Sequence, residues 1–204
     1  MMPVAMIDYG AGNLGNARRA LEELGFPLRL VRLPSDILSD GPILLPGVGN
    51  YGAAMATINQ SGVSDAIRDA AESGRRVVGI CLGLQMLFSA SEEAPGVPGL
   101  GVLEGTVRRL DSQGQPLPHL GWCPVGKRGL PLYFAHSYVV EPRDPSIIKA
   151  TAEWGGGAGG GGGDRFPAVV QRSETLGFQF HPERSGDAGL EILRQALAGG
   201  TIDL

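Results

Sequence analysis

At 204 residues, 43% of them hydrophobic, the chain is long enough for one compact unit with a sizeable core, and a net charge of −4 argues against nucleic acid as its main partner. No window approaches the ~18 uninterrupted apolar residues of a membrane span, and the opening MMPVAMIDYG reaches Asp8 without the basic region of a secretory leader. The two cysteines, Cys81 and Cys123, lie far apart in sequence; this excludes a disulfide scaffold or zinc knuckle, predicts no metal, and fits a reducing cytoplasm. Glycine is the outlier, at 33 of 204 residues against a usual ~7%.

The first half alternates strand and helix. VAMIDY at 4–9 predicts a strand, and Leu14, Ala17, Leu21 and Leu24 predict an amphipathic helix stopped by Gly25. LRLVRL at 28–33 and PILLP at 42–46 read as strands, and helices are expected at 51–62 and 64–73. RVVGI at 76–80 has the pattern of a buried strand, and LGLQMLFSA at 82–90 that of a helix. Further strands are expected at 105–110, 131–140, 167–172 and 175–180, and a last helix carries Leu190, Leu193 and Leu197. Strands joined by crossover helices imply a three-layer α/β fold: a mostly parallel central sheet flanked by helices, with a smaller antiparallel portion in the C-terminal half. The run GGGAGGGGG at 155–163 predicts a flexible surface loop, and no linker divides the chain, so 1–204 reads as one domain.

Chemistry concentrates at Gly79-Ile80-Cys81-Leu82-Gly83, where a strand turns sharply into a helix. This has the form of a nucleophile elbow with cysteine in the serine place, because side chains beside so tight a turn would clash. A helix N-terminus favours a thiolate at Cys81, and the Leu82 amide points where an oxyanion would form. A lone cysteine is more often a buried structural thiol; the flanking glycines favour the nucleophile. Such a nucleophile needs a base and a group that orients the base. His181, in FQFHPE, follows an apolar strand, and an extended backbone through Pro182 would put Glu183 on the same face. His136 reads instead as a hydrogen-bonded, half-buried residue within an aromatic strand, and His119 as a surface or interface residue. Gly47-Val48-Gly49, just after the strand ending at Pro46, reads either as a second oxyanion donor or as a plain turn.

A competing motif lies at Gly10–Gly15, which matches GxGxxG, with Asp36 further on. It raises dinucleotide binding as an alternative from a different class. Asp36 follows Pro34 and Ser35 instead of closing the second strand, so a tight turn fits better and no cofactor is expected.

Together, GICLGLQ around Cys81, PGVG at 46–49 and QFHPE at 179–183 resemble the triad-type, class I glutamine amidotransferases. IDYGAGNLGN at 7–16, PHLGW at 118–122, YFAHSYVV at 133–140 and FHPERSG at 180–186 are similar to the glutaminase subunits of imidazole glycerol phosphate synthase, an enzyme of histidine biosynthesis. The resemblance implies a flavodoxin-like fold and glutamine hydrolysis. Cys81 would form a γ-glutamyl thioester; His181, oriented by Glu183, would act as base and then as acid. Backbone amides of Leu82, Gly47, Val48 and Gly49 would hold the oxyanion. Gln85, Glu93 and the His136-Ser137-Tyr138 segment would bind glutamine. The implied partner is a (β/α)8-barrel cyclase subunit in a heterodimer, with Asn13, Trp122 and Arg184 at the interface. Where the family has PHMGWN and lysine after HPE, this chain has Cys123 and Arg184, both expected near the partner face. Guanylate, anthranilate, aminodeoxychorismate or pyridoxal phosphate synthesis remains an alternative destination for the ammonia.

Overall fold

Apolar runs too short and too continuous to lie on a surface assemble, in the computed structural model, into a sheet covered on both faces. The structure describes residues 2–10, 14–37, 41–112, 114–155, 162–200, 202 and 204. Its first half runs β1 (Val4–Ile7), α1 (Gly15–Glu23), β2 (Leu28–Val31), β3 (Ile43–Leu45), α2 (Tyr51–Gln60), α3 (Val63–Glu72), β4 (Val77–Ile80) and α4 (Leu82–Met86). The second half is richer in strands: β5 (Ala90–Ser91), β6 (Gly105–Arg109), β7 (His119–Val125), β8 (Leu130–His136), β9 (Tyr138–Pro142), β10 (Ile148–Trp154), β11 (Asp164–Arg172) and β12 (Thr175–Phe178), closed by α5 (Gly186–Ala198).

Seven strands form the central sheet in the order β10-β11-β12-β4-β3-β1-β2. From β12 to β2 all pairings are parallel, while β10, β11 and β12 pair antiparallel, so the antiparallel portion falls at one side of the sheet. Period-2 alternation divides the core in two. Val4 and Met6 pack with Ala17, Ala20 and Leu21 of α1 and with Ile192 and Leu193 of α5. Ala5 and Ile7 face the other way, toward Met55 and Ile58 of α2, Ile67 of α3 and Leu84 of α4. Helix α1 ends as its glycine predicts: Gly25 takes φ +73° and the Phe26 amide returns to the Leu21 carbonyl at 2.9 Å. No helix among the described residues is long and apolar enough to cross a membrane.

Three differences from the sequence reading have physical causes. The helix after Cys81 ends at Met86, because the Leu87 and Phe88 amides turn to the Leu84 and Gln85 carbonyls, and Ala90–Ser91 then pairs with β6. The apolar run at 131–140 is two strands broken at Ser137: β8 pairs with β7 in a hairpin, whereas β9 joins β6 in a three-stranded sheet. Strands β7 and β10 were not expected. Gly121 and Pro124 disguise the first, and the alanines at 150 and 152 make the alternation of the second shallow. Of the glycine run, residues 156–161 lie outside the described residues; it connects β10 to β11, which pair at Trp154 and Asp164.

Candidate active site

Strand β4 passes into α4 through Cys81 alone. Cys81 has φ +47° and ψ −102°, a conformation that costs a non-glycine residue about 1–3 kcal/mol. The neighbours hold it there: its amide donates to the Phe178 carbonyl at 2.6 Å, and its carbonyl accepts from the Gln85 amide at 3.1 Å. The glycines are required by close approach. A Cβ on Gly83 would strike the Leu45 carbonyl oxygen, and one on Gly47 would lie 2.5 Å from the Ile80 oxygen and 2.9 Å from the Cys81 Cβ. The loop at 47–49 is therefore pressed against the elbow. Helix α4 is only five residues long, so its dipole is smaller than the sequence suggests, and the nearby Leu82 amide is the stronger feature.

The Val48 carbonyl accepts a long bond of 3.4 Å from the Tyr9 hydroxyl, whose main acceptor is the Pro46 carbonyl at 2.5 Å. Burial first, and then the Cys81 charge, push the Tyr9 pKa upward, so this phenol stays neutral and ties the loop to β1.

His181 follows β12, with its backbone amide bonded to the Tyr133 carbonyl at 2.8 Å. The chain does not stay extended after it. Pro182–Arg184 forms a 3-10 turn, and this turn brings the Glu183 carboxylate back to the ring: Nδ1 to Oε1 is 2.8 Å, with both side chains buried. Ser185 locks the turn, its hydroxyl donating to the His181 carbonyl at 2.7 Å and accepting from the Tyr133 amide at 2.9 Å. Burial alone would lower the imidazole pKa. The charge and proximity of an ionised Cys81, with the Glu183 bond, outweigh it and raise the value to about 10. His181 Nε2 is buried and makes no hydrogen bond of good geometry among the described residues.

Beside the thiol lies a cavity of about 240 Å³, lined by Gly47, Val48, Gly49, Cys81, Leu82, Gln85, Glu93, Pro118, Ala135, His136, Ser137 and Tyr138. This volume suits a ligand of amino-acid size. A larger cavity of about 420 Å³ lies at the opposite end of β4, between Arg68, Glu72, Arg172 and Glu174, and neither a cysteine nor a histidine lines it. Glu93 anchors the start of α2 through Asn50 Nδ2 at 2.8 Å, and Gln85 Nε2 is committed to the Tyr138 carbonyl at 2.9 Å. Gln85 thus braces the cavity wall with its amide nitrogen.

The structure brings Trp122 and Arg184 together on one surface. Trp122 is 57% exposed and packs edge-on to Tyr133; the Arg184 guanidinium lies 4.1 Å from the centroid of the same ring, and Leu120 beside them is 63% exposed. Asn13 lies outside the described residues. Cys123 alternates with Trp122 on β7, so it points inward, buried, with its thiol donating to the Glu153 carbonyl at 3.2 Å; its expected place at the partner face is corrected. His119 is likewise buried and is not a surface residue, and His136 is fully rather than half buried. Asp36 is not free for a ribose, since its carboxylate caps the Arg32 and Leu33 amides at 3.0 and 2.9 Å. Residues that sequence reasoning missed are Tyr9, Ser185 and Gln179. The last is completely buried, with Nε2 3.7 Å from the Cys81 sulfur. Its position in QFHPE, two residues before His181, was the available signal.

A cysteine on a strained elbow, a histidine backed by a carboxylate, and one small cavity lined by the 47–49 loop and Leu82 lie together on a parallel α/β sheet, the parts that acyl transfer through a thiol requires. The model of the class-I glutamine amidotransferases matches residues 5–198. The HisH subunit of imidazole glycerol phosphate synthase from Moorella thermoacetica is 42% identical over 205 residues, covering 95% of this chain and 93% of the relative. The chloroplastic imidazole glycerol phosphate synthase hisHF of Arabidopsis thaliana is 41% identical over 207 residues, covering 95% of this chain but 34% of that one. Among solved structures, PurLQS from Thermotoga maritima shares the fold, with a TM-score of 0.71 at 24% identity over 97% of this chain and 98% of that one. The chain belongs to the class-I glutamine amidotransferase family and, within it, to the HisH subunits of imidazole glycerol phosphate synthase.

Proposed function

We propose that Cys81, His181 and Glu183 hydrolyse glutamine to glutamate and ammonia, and that the ammonia passes to a cyclase subunit of imidazole glycerol phosphate synthase in histidine biosynthesis. The Nδ1–Oε1 bond between His181 and Glu183 beside the Cys81 cavity is the observation that carries this reading. The Cys81 thiolate attacks the carboxamide carbon, and the carbonyl oxygen becomes an oxyanion facing the Leu82 amide and the 47–49 loop. His181, charged while its partner sulfur is ionised, gives its proton to the departing nitrogen as the C–N bond breaks. A γ-glutamyl thioester remains. His181, now neutral, takes a proton from water, whose oxygen displaces the thiolate and yields glutamate. Glu93, the Gln85 side chain and the 136–138 backbone line the cavity where the amino-acid end of glutamine would lie.

The partner proposed is a (β/α)8-barrel cyclase in a heterodimer. In support, two relatives are named as subunits, and the hisHF relative is matched over only about a third of its length. Leu120, Trp122, Tyr133 and Arg184 offer an aromatic and cationic face, of the composition common at interface centres. A single glutaminase domain over 1–204, in the cytoplasm, accords with the family match and with two core clusters that share one sheet. The test is co-expression with a candidate cyclase and a glutaminase assay with and without the cyclase ligand. The isolated chain is expected to be a poor glutaminase, activated in the liganded complex; full activity alone would contradict control through the 47–49 loop.

A further inference from the structure

The mechanism above leaves two of the three histidines unused. His119 and His136 face each other directly across the β7–β8 hairpin on its inner side, with His119 Nδ1 3.3 Å from His136 Nε2. His136 Nδ1 in turn lies 3.0 Å from the Tyr138 carbonyl oxygen. A carbonyl oxygen can only accept, so His136 must carry its proton on Nδ1. Its Nε2 is then a lone pair, and His119 must also carry its proton on Nδ1 to reach it. The chain of donors has one direction: His119 to His136 to the Tyr138 carbonyl.

That carbonyl also accepts from Gln85 Nε2 at 2.9 Å, so both its lone pairs are filled. It sits where the chain leaves the hairpin for the three-stranded sheet, across the break at Ser137, and His136, Ser137 and Tyr138 line the cavity beside Cys81. The imidazole of His136 spans the break. His119 is held rigidly for its part, stacked between Phe134 and Trp154 with ring centroids at 5.1 and 5.0 Å. Both rings are buried, and burial lowers their pKa values to about 4 for His119 and about 3 for His136, so neither is charged at neutral pH.

We propose that His119 is a positioning residue for glutamine: by donating to His136 Nε2 it fixes the tilt of that ring, whose tautomer the Tyr138 carbonyl sets, and so holds the Ser137–Tyr138 wall of the cavity without touching the substrate. The claim about glutamine rests on the function proposed above; the tautomers do not. His119 also begins the strand whose outward residues are Leu120 and Trp122, so it joins the exposed face to the cavity wall through one side chain.

The chain has three histidines, so long-range nitrogen–proton correlation spectra of the full chain are simple to assign. His119 and His136 are expected as neutral Nδ1–H tautomers from pH 6 to 8. An Nε2–H tautomer or an imidazolium at either site overturns the proposal. His119→Phe keeps the stack and removes the donor; His119→Asn keeps an N–H near the Nδ1 position. In the synthase complex the phenylalanine variant is expected to raise the KM for glutamine five- to tenfold with kcat within twofold. The asparagine variant should return KM to within twofold of the parent. Equal KM values for parent and His119→Phe, or equal losses in both variants, overturn the positioning role. If His119→Phe does not fold, His119→Leu carries the same comparison. Should the parent complex hydrolyse no glutamine, the proposed function fails, and spectra decide the positioning claim: the His136 Nε2 resonance must shift in His119→Phe, where its lone pair loses the donor, and return toward the parental position in His119→Asn, and an Nε2 resonance unmoved in His119→Phe overturns the claim.

Discussion

Replacing Glu183 with glutamine removes the negative charge behind His181 while keeping the side chain's size. The bond it perturbs is 2.8 Å long and lies between groups only 1% and 7% exposed, so water offers little screening. A buried, charge-assisted hydrogen bond of this kind is worth about 1.5–3 kcal/mol. The imidazole is charged as ammonia leaves, so the loss falls on that step; at 1.36 kcal/mol per factor of ten, kcat should drop about 10- to 150-fold. The Glu183 bond also helps to raise the His181 pKa, so the basic limb of the rate profile should move to lower pH. The assay is glutaminase turnover of the complex from pH 6 to 10, with ammonia-dependent synthesis as the control for an intact partner site. Turnover within threefold of the parent and an unmoved profile would refute the orienting role of Glu183.

Acid should destabilise the fold through the buried histidine pair. A histidine whose folded pKa lies below the free value of 6.5 binds fewer protons than the unfolded chain as pH falls, so its stabilising contribution is present above 6.5 and is lost toward pH 4 for His119 and pH 3 for His136. Two such groups should remove roughly 3 kcal/mol between pH 6.5 and 5.0, and His119→Asn should lose about half as much, measured by denaturant unfolding at both pH values. Equal losses in the two proteins would contradict this. Trp122→Ala, at a largely exposed site, should change unfolding stability by no more than about 0.5 kcal/mol and weaken partner binding at least ~30-fold by calorimetric titration. Unchanged affinity would remove Trp122 from the interface.

The candidate site at the sheet edge was legible because its requirements are local. Gly79, Cys81 and Gly83 announce a sharp elbow in five residues, and His181 and Glu183 stand two apart. The reason their side chains meet was not legible: an extended strand was expected, and the 3-10 turn after Pro182, locked by Ser185, makes the contact instead. Long-range features were the harder part. Nothing near Ser137 in sequence marks the chain's change of sheet, since YFAHSYVV is continuously apolar or aromatic apart from His136 and Ser137. His119 looked superficial among prolines and glycines, yet Trp154, 35 residues further on, and Phe134 enclose it. Cys123 looked like part of the outer face because Trp122 is; strand alternation turns it inward.

The central claim, that Cys81 is the nucleophile that releases ammonia for a partner, is tested most directly by Cys81→Ala in the complete complex. Synthesis driven by glutamine should disappear while synthesis driven by added ammonium salt continues at the parental rate. Loss of both would show that Cys81 serves the fold, and survival of the glutamine-driven reaction would show that the nucleophile lies elsewhere.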